Sequence, residues 1–406
     1  MPADARRLSS SIALAIASGW SMTSVSAAAP ALADRYGTSL SQVGVASGAL
    51  WVTFAIVQAP AGRLADRVPT AALAFWGATL MAGLNLVAAL IPELGLAIAI
   101  RLVAGIVGGT VMVAAARSVT TLGARGQGLV GGATAIGSTL AVACVPVLEP
   151  VTGWRTPFAG NAVLGLVALA VVVRARDPVR DAGEASAGPQ VAAAGPGGGT
   201  DRLRLRLLCL SSALGCSLIA GFALGGWAPT FLEQEAGLGT AAAAVIGSAV
   251  VAGSIITRPL GGVLGHDGDF RVVWGSLTCI ALGALALAAA PSPSLQVVAL
   301  LVVGICAGLP FAAVIDRSAA LSPGAPGRAV GFTGTAGTLV GMAGVVLLGV
   351  AVDHNATGPM FAGLAVYAGL AAFATSWASR LAPPRSALMS GVNVAPIRRS
   401  DHPDPA

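Results

Sequence analysis

Long apolar stretches dominate this chain and limit what it can fold into. Ten stretches lack Asp, Glu, Lys and Arg, and they cover residues 8–33, 36–62, 68–92, 126–148, 156–173, 207–232, 236–257, 272–315, 329–352 and 355–379. A helix needs about 20 apolar residues to cross a bilayer. The stretch 272–315 is long enough for two crossings, which Pro291 and Pro293 divide, because proline removes a backbone donor and favours a turn. With the segment 94–116, which is apolar apart from Arg101, we predict an all-α membrane protein with twelve transmembrane helices.

The composition agrees with lipid as the solvent. Only 10% of the 406 residues are charged and 55% are hydrophobic, whereas roughly a quarter of a soluble domain is charged. The 54 glycines fit helices that approach one another closely in a membrane. These values exclude an ordinary soluble enzyme and a disordered chain.

The basic residues, all of them Arg, predict the orientation. If both termini lie in the cytoplasm, 19 of the 23 fall on the inner side, Arg35 and Arg155 fall outside, and Arg101 and Arg258 fall within spans. Cytoplasmic loops of membrane proteins carry such an excess. We therefore expect a multi-pass protein of the inner (plasma) membrane with both termini in the cytoplasm. The net charge of +6 is then a mark of orientation and does not indicate a nucleic-acid partner.

The N-terminus allows a second interpretation. Arg6, Arg7, an apolar run and the Ala31-Leu32-Ala33 triplet resemble a secretory signal with its cleavage site. The run, at about 25 residues, exceeds the usual length of such a signal, and the remaining spans require an inward N-terminus. We expect the first helix to be retained.

A polar segment divides the spans into two groups of six. It begins with charged residues and continues rich in Gly, Ala and Pro, as flexible linkers do. Two pseudo-symmetric bundles that rock about a central site are the architecture of many secondary transporters. We predict an N-terminal six-helix bundle at 1–175, a cytoplasmic linker at 176–205, a C-terminal six-helix bundle at 206–382 and a disordered cytoplasmic tail at 383–406.

Four motifs resemble those of the major facilitator superfamily. They are GRLADR at 62–67 after span 2, RLVAGIVGG at 101–109 in span 4, WRTPF at 154–158 between spans 5 and 6, and WAPTFL at 227–232 at the end of span 7. The resemblance covers the whole chain. It implies the twelve-helix fold of that family and transport by alternating access.

Three spans are similar to those of particular branches of the superfamily. Glycine-rich segments at 128–138 and 331–338, together with Arg258-Pro259-Leu260-Gly261-Gly262 in span 8, look like the cyanate and nitrate/nitrite porters. The Asn of the nitrate signature is absent, as are that branch's Arg in span 2 and the Gly-Pro pair of drug antiporters in span 5. Close helix packing alone also accounts for the glycines.

The resemblance implies a conformational gate after span 2. Glycine lets the backbone turn tightly, which we expect at Gly62, and a carboxylate is favourable at a helix N-terminus, where we place Asp66 at the start of span 3. Asp66 can pair with Arg67 or Arg125 at the inner surface. The second-half counterpart has a histidine where an acid is usual, followed by Asp267. A plain helix cap with solvated charges is the alternative.

Two arginines at membrane depth are the candidate anion-binding residues. No Asp or Glu lies well inside any span, and a charge at that depth should face a cavity or a partner. Arg101 and Arg258 are then free to bind an anion through paired donors. Alternatively, Arg258 snorkels over about eight residues (~12 Å) toward the loop at His266. The arginine at the place of Arg101 is often structural in the family.

Polar residues near mid-depth complete the candidate substrate site. Span 1 carries Trp20 and Ser21, Gln58 is the offset partner of Arg258, and Thr335 lies in span 11. Hydrogen bonding between helices is the alternative role for these side chains. The five cysteines all lie within spans with no CxxC pair and no neighbouring histidine, so we expect neither a metal site nor a cofactor.

We predict a secondary active transporter that moves a small anion, such as cyanate, nitrite or a small carboxylate, coupled to a proton or a counter-anion. It is expected to act as a monomer in the lipid bilayer. An enzyme is not expected, because clustered acids, His or Cys at catalytic spacing are absent. Two alternatives stay open: an efflux carrier for neutral or amphipathic compounds, which aromatics such as Trp20, Trp51 and Phe54 would favour, and a transporter-fold sensor.

Overall fold

The computed structural model describes residues 3–119, 123–175, 200–264, 270–289, 292–322 and 326–380. In this part of the chain all regular structure is helical, as predicted. The predicted tail and most of the predicted linker lie outside the described residues. The linker's last residues, 200–205, belong to a helix that begins at Thr200 with Asp201 in its first turn, where a carboxylate complements the helix dipole.

In the described residues of the first half of the chain, 3–119 and 123–175, there are seven helices. They are α1 Ala3–Ala27, α2 Ala29–Tyr36, α3 Leu40–Arg67, α4 Thr70–Leu90, α5 Leu94–Ser118, α6 Gly123–Thr152 and α7 Thr156–Ala175. A 3₁₀ turn, Gly153–Arg155, joins α6 to α7.

The described residues of the second half, which lie between 200 and 380, contribute eight helices. They are α8 Thr200–Leu218, α9 Leu224–Gln234, α10 Thr240–Leu264, α11 Arg271–Ala289, α12 Pro293–Ala307, α13 Leu309–Ala320, α14 Pro326–Asp353 and α15 Thr357–Arg380. A π-helical turn, Ile219–Ala223, joins α8 to α9. The end of α11 and the start of α12 confirm the predicted division of 272–315.

Ten helical segments in the described residues are long and apolar enough to cross a membrane, or eleven if the bent pair α1 and α2 counts as one span. One of the ten, Gly128–Ala175, comprises α6 and α7. The axes of α1 and α2 differ by 63°, because proline within the first turn of α2 cannot continue the preceding helix. The chain is a multi-pass membrane protein.

Helices of each half pack mainly among themselves, and the halves meet along two long contacts, α3 with α14 and α6 with α10. A shorter contact joins α1 to α9. Glycine permits the closest crossings within a half. A Cβ at Gly137 of α6 would overlap the carbonyl oxygen of Ile16 in α1, so close helix packing accounts for that glycine of span 5.

The start of the predicted gate differs from the expectation. Gly62 does not turn the chain, since α3 continues to Arg67, and Asp66 lies in the last turn of α3 and not at the start of α4, which begins at Thr70. The helix ends at Val68, whose backbone is extended (φ −118°, ψ 135°). Val68 precedes Pro69, and proline disfavours helical backbone in the residue before it.

Candidate substrate-binding site

Arg258 lies between two aromatic rings in the second half of the chain. Arg258 is 4% exposed. Its Cζ lies 4.4 Å from the ring centroid of Phe222 and 4.5 Å from that of Phe311. The side chain is enclosed and does not extend to the protein surface. Cation–π contacts of this kind stabilise a desolvated guanidinium by about 2 kcal/mol.

Two irregularities in the neighbouring helices bring these rings to Arg258. Phe222 lies in the π-helical turn, a feature that is frequent at functional sites. Phe311 follows the break between α12 and α13 at Gly308. A Cβ at Gly308 would overlap the Oγ1 of Thr257 and lie 3.0 Å from the backbone nitrogen of Arg258. Only a glycine at position 308 therefore lets the break between α12 and α13 pack against α10 next to Arg258.

The donors of Arg258 have no acceptor among the described residues. Its Nε is fully enclosed without a hydrogen-bond partner, and the rings contact the charge without using any N–H group. A buried charge without a paired counter-charge is costly. The arrangement is therefore suited to an anionic ligand that accepts hydrogen bonds from the guanidinium.

Trp51 connects the first half of the chain to this site. Trp51 is 1% exposed. Its ring centroid lies 5.9 Å from that of Phe222, and its Nε1 donates to the carbonyl oxygen of Met22 at 3.3 Å. A side chain from α3 thus packs on one of the two rings that contact Arg258. We did not predict Phe222 or Phe311 as site residues. A glycine lies at or next to each of the two helix irregularities, and this was the signal in the sequence that could have indicated them.

Arg101 occupies a second buried polar cluster, in the first half. Its residue is 1% exposed. Nη2 donates to the carbonyl oxygen of Ser21 at 2.6 Å and Nη1 to the Ser21 hydroxyl at 3.2 Å. Nδ2 of Asn161 donates to the same hydroxyl at 3.0 Å. The cluster joins α5, α1 and α7, and Ser21 accepts hydrogen bonds from both neighbours.

The other predicted binding residues lie at helix contacts. Nε1 of Trp20 donates to the carbonyl oxygen of Pro157 at 2.8 Å, within the first half. Thr335 donates to the carbonyl oxygen of Ala55 at 3.1 Å, and the Oε1 of Gln58 would lie 2.9 Å from a Cβ at Gly334. Thr335 and Gln58 therefore lie at the α3–α14 contact between the halves.

The predicted gating residues are only partly described. Arg67 is exposed at the end of α3. No described atom lies within 4 Å of a Cβ built at Gly62. The side chains of Asp66 and Arg125, and the whole of Asp267, lie outside the described residues, so the proposed pairing remains a prediction. Among the described residues no group of His, Cys, Asp or Glu could hold a metal ion.

Comparison with known proteins identifies the family. The family model of the Major Facilitator Superfamily matches residues 11–345. The chain belongs to this superfamily. The predicted membership is confirmed, and the protein is a membrane transporter and not an enzyme. Members of the superfamily bind small-molecule substrates and often couple transport to ions.

Solved structures of transporters share the fold. A bacterial homologue of the human lysosomal transporter Spinster, in its inward-facing, unoccupied conformation, matches with a TM-score of 0.73 at 16% identity, over 94% of this chain and 98% of that one. A point mutant of the nucleoside transporter NupG matches with 0.69 at 16% identity, over 93% and 99%. No curated protein sequence matches the chain. At this identity the likeness shows the fold alone, and the cyanate and nitrate/nitrite resemblance is not confirmed.

Proposed function

We propose that this superfamily member is a secondary active transporter whose two six-helix bundles, 1–175 and 206–382, rock about a central site. Twelve spans result when α1 and α2 count as one and Gly128–Ala175 counts as two. The arginine asymmetry supports an inner-membrane location with both termini in the cytoplasm. The two long contacts between the halves, α3 with α14 and α6 with α10, are the surfaces that such a motion would change.

The contacts along α3 and α14 support a conformation that is open at one end. We call the end with Leu40 and Asp353 the Asp353 end, and the end with Gly62 and Gly331 the Gly62 end. At the Asp353 end, Gly44 and Gly349 approach so closely that a Cβ at Gly349 would lie 3.1 Å from the Cα of Gly44. Toward the Gly62 end the contact continues as far as Gln58 and Thr335, but beyond them no described atom outside the local helix turn lies within 4 Å of a Cβ at Gly62 or Gly331. With the predicted orientation, we infer an inward-open arrangement.

The substrate proposed for this site is a small anion, bound by Arg258. The observation that carries the proposal is a buried guanidinium whose charge contacts Phe222 and Phe311 while its donors lack an acceptor in the described part of the chain. A guanidinium presents donors in a rigid fork that matches a carboxylate or a similar oxyanion. Cyanate, nitrite and small carboxylates remain the candidate substrates. A proton carried with the substrate, or a counter-anion, would supply the coupling.

The test is thermal stabilisation of the purified protein by a panel of small anions, carboxylates, sugars and cationic drugs. A ligand that binds only the folded protein raises the free energy of unfolding by mass action, by about 2.7 kcal/mol at a ligand concentration of a hundred times its Kd. The melting temperature rises as a consequence. We expect one anion class to stabilise the protein by several degrees and Arg258→Gln to abolish the effect. Arg155→Gln is the matched control, because Arg155 also stacks on an aromatic ring, that of Trp154, at 4.9 Å but is exposed.

An efflux carrier for amphipathic compounds is the second candidate, favoured by the aromatic cluster of Trp51, Phe222 and Phe311. Stabilisation by a cationic or neutral compound that Arg258→Gln leaves unchanged would replace the anion proposal with this one. Flux of the stabilising ligand into proteoliposomes is expected for either carrier. Saturable binding without flux would instead identify a transporter-fold sensor.

A further inference from the structure

The α3 helix of the first half begins with a cap supplied by the second half. The carboxylate of Asp353, the last residue of α14, accepts hydrogen bonds from the backbone nitrogens of Leu40 at 3.2 Å and Ser41 at 3.4 Å. The hydroxyl of Ser41 donates to the same carboxylate at 2.5 Å. We call this group of three contacts the inter-half cap.

The chemistry of a helix start explains why this contact is favourable. The first backbone N–H groups of a helix have no partner within it, and an anion is stabilised there by the helix dipole. Ser39 already accepts a hydrogen bond from the backbone nitrogen of Gln42 at 3.3 Å, as an ordinary N-cap does. Asp353 takes the two donors before it. The helix therefore starts with one cap of its own and one from the other half.

The surrounding packing makes the cap specific to one arrangement of the halves. One turn into α3, Gly44 lies against Gly349 of α14, and a Cβ at Gly48 would lie 2.6 Å from a methyl group of Val346. These glycines let the two backbones approach closely, and this close approach brings the start of α3 within hydrogen-bonding distance of Asp353. Any separation of α3 from α14 at this end must therefore break all three hydrogen bonds of Asp353.

We propose that the inter-half cap holds the Asp353 end closed, and that its loss shifts the protein toward the conformation open at that end. The inference rests on the rocking motion in the proposed function, but not on the identity of the substrate. Asp353 is then a positioning residue that sets the balance of two conformations. Its side chain is 20% exposed, and the Nδ1 of His354, which is 66% exposed, lies 3.8 Å away, so water can replace the lost contacts when this end opens.

Hydrogen–deuterium exchange of the full-length protein, purified in detergent and without substrate, tests this proposal. In Asp353→Ala we expect faster exchange at the start of α3 and also at the other contacts of the Asp353 end, where Gly226 of α9 packs against Ser26 of α1. Exchange at the opposite end, in residues 61–67 and 328–332 beyond the contacts of Gln58 and Thr335, should slow. A lost helix cap corresponds to about a tenfold change in the conformational ratio.

A second hydrogen bond to a carboxylate at the same end, this one between side chains, provides the matched control. The hydroxyl of Thr357 donates to Oε1 of Glu235 at 3.2 Å, and both residues belong to the second half. Glu235→Ala should therefore change exchange only near Thr357. Asp353→Asn, which keeps one acceptor oxygen, should give an intermediate result, because Asn is a good N-cap residue.

The two patterns of exchange distinguish a gate from a local cap. If Asp353→Ala speeds exchange only in the first turn of α3, the proposal is overturned. Ser41→Ala removes the side-chain hydrogen bond but keeps both backbone donors, so it remains usable if Asp353→Ala does not fold, and it should shift the same segments by a smaller amount. Failure of every anion to stabilise the protein would overturn the proposed substrate class and leave this result unaffected.

Discussion

The two buried arginines resemble each other in depth and differ in what their donors do. Arg101 and Arg258 are 1% and 4% exposed, and neither has an ion-pair partner among the described residues. Arg101 uses both terminal amino groups on Ser21 and leaves only its Nε without a partner, whereas Arg258 has ring faces around its charge and no acceptor for any of its N–H groups within the same described ranges. Burial of a charge in a membrane helix therefore does not by itself identify a ligand site. The unused terminal amino groups of Arg258 distinguish it from Arg101.

The largest expected effect is a difference in the free energy of unfolding between variants at the two arginines. Replacement by methionine keeps an unbranched, flexible side chain and removes a buried charge in either case. In Arg101→Met, Ser21 also loses two hydrogen bonds from a charged donor, each worth about 1.5–3 kcal/mol, although its hydroxyl still accepts from Asn161. We expect Arg101→Met to have a free energy of unfolding about 2 kcal/mol below that of Arg258→Met, measured by thermal or denaturant unfolding without ligand.

The difference between these variants is more informative than either value, because the cost or gain of removing a charge is common to both. Equal melting temperatures would contradict the comparison, since they would mean that the hydrogen bonds of Arg101 contribute nothing. A lower stability for Arg258→Met would indicate that its contacts with Phe222 and Phe311 outweigh the hydrogen bonds of Arg101.

Much of the fold could be predicted because lipid imposes a simple length requirement on each helix. The same rule identified Arg101 and Arg258, since a charge is conspicuous in an apolar run. Ser21 was likewise among the candidate site residues, because a polar residue in a span needs a partner. The end of α3 was not predicted correctly, although Pro69 marks it. A glycine such as Gly62 permits a turn without requiring one, whereas a proline restricts the backbone of the residue before it.

The partners of the two arginines could not be predicted from the sequence. Phe222 precedes Arg258 by 36 positions and Phe311 follows it by 53, and both approach through irregular turns that helical periodicity does not show. Asn161 lies far from Ser21 in the chain and meets it only because α7 packs against α1. Contacts between distant helices depend on crossing geometry, which a single sequence does not contain.

A smaller effect is expected when the acceptor of Arg101 is removed in place of the arginine. Ser21→Ala deletes the hydroxyl that accepts from both Arg101 and Asn161 but keeps the backbone carbonyl. We expect a loss of about 1 kcal/mol in the free energy of unfolding. Ser18→Ala is the matched control, since the Ser18 hydroxyl lies one turn earlier in α1 and is buried without a partner among the described residues. It should be neutral or slightly stabilising, and a loss equal to that of Ser21→Ala would contradict the assigned role of the cluster.

The smallest effect concerns the rings around Arg258. Phe311→Leu keeps an apolar side chain but removes one of the two cation–π contacts, each about 2 kcal/mol for a desolvated guanidinium. The guanidinium then has one ring fewer to hold its plane, so the affinity for the stabilising anion should fall about two- to fivefold, measured by calorimetry. Phe332→Leu, at a ring that is 39% exposed, should leave the affinity unchanged. If Phe311→Leu instead strengthens anion binding, the ring competes with the ligand for the arginine. The two rings would then stabilise an unliganded position of the Arg258 side chain, which must move away from them when the substrate binds.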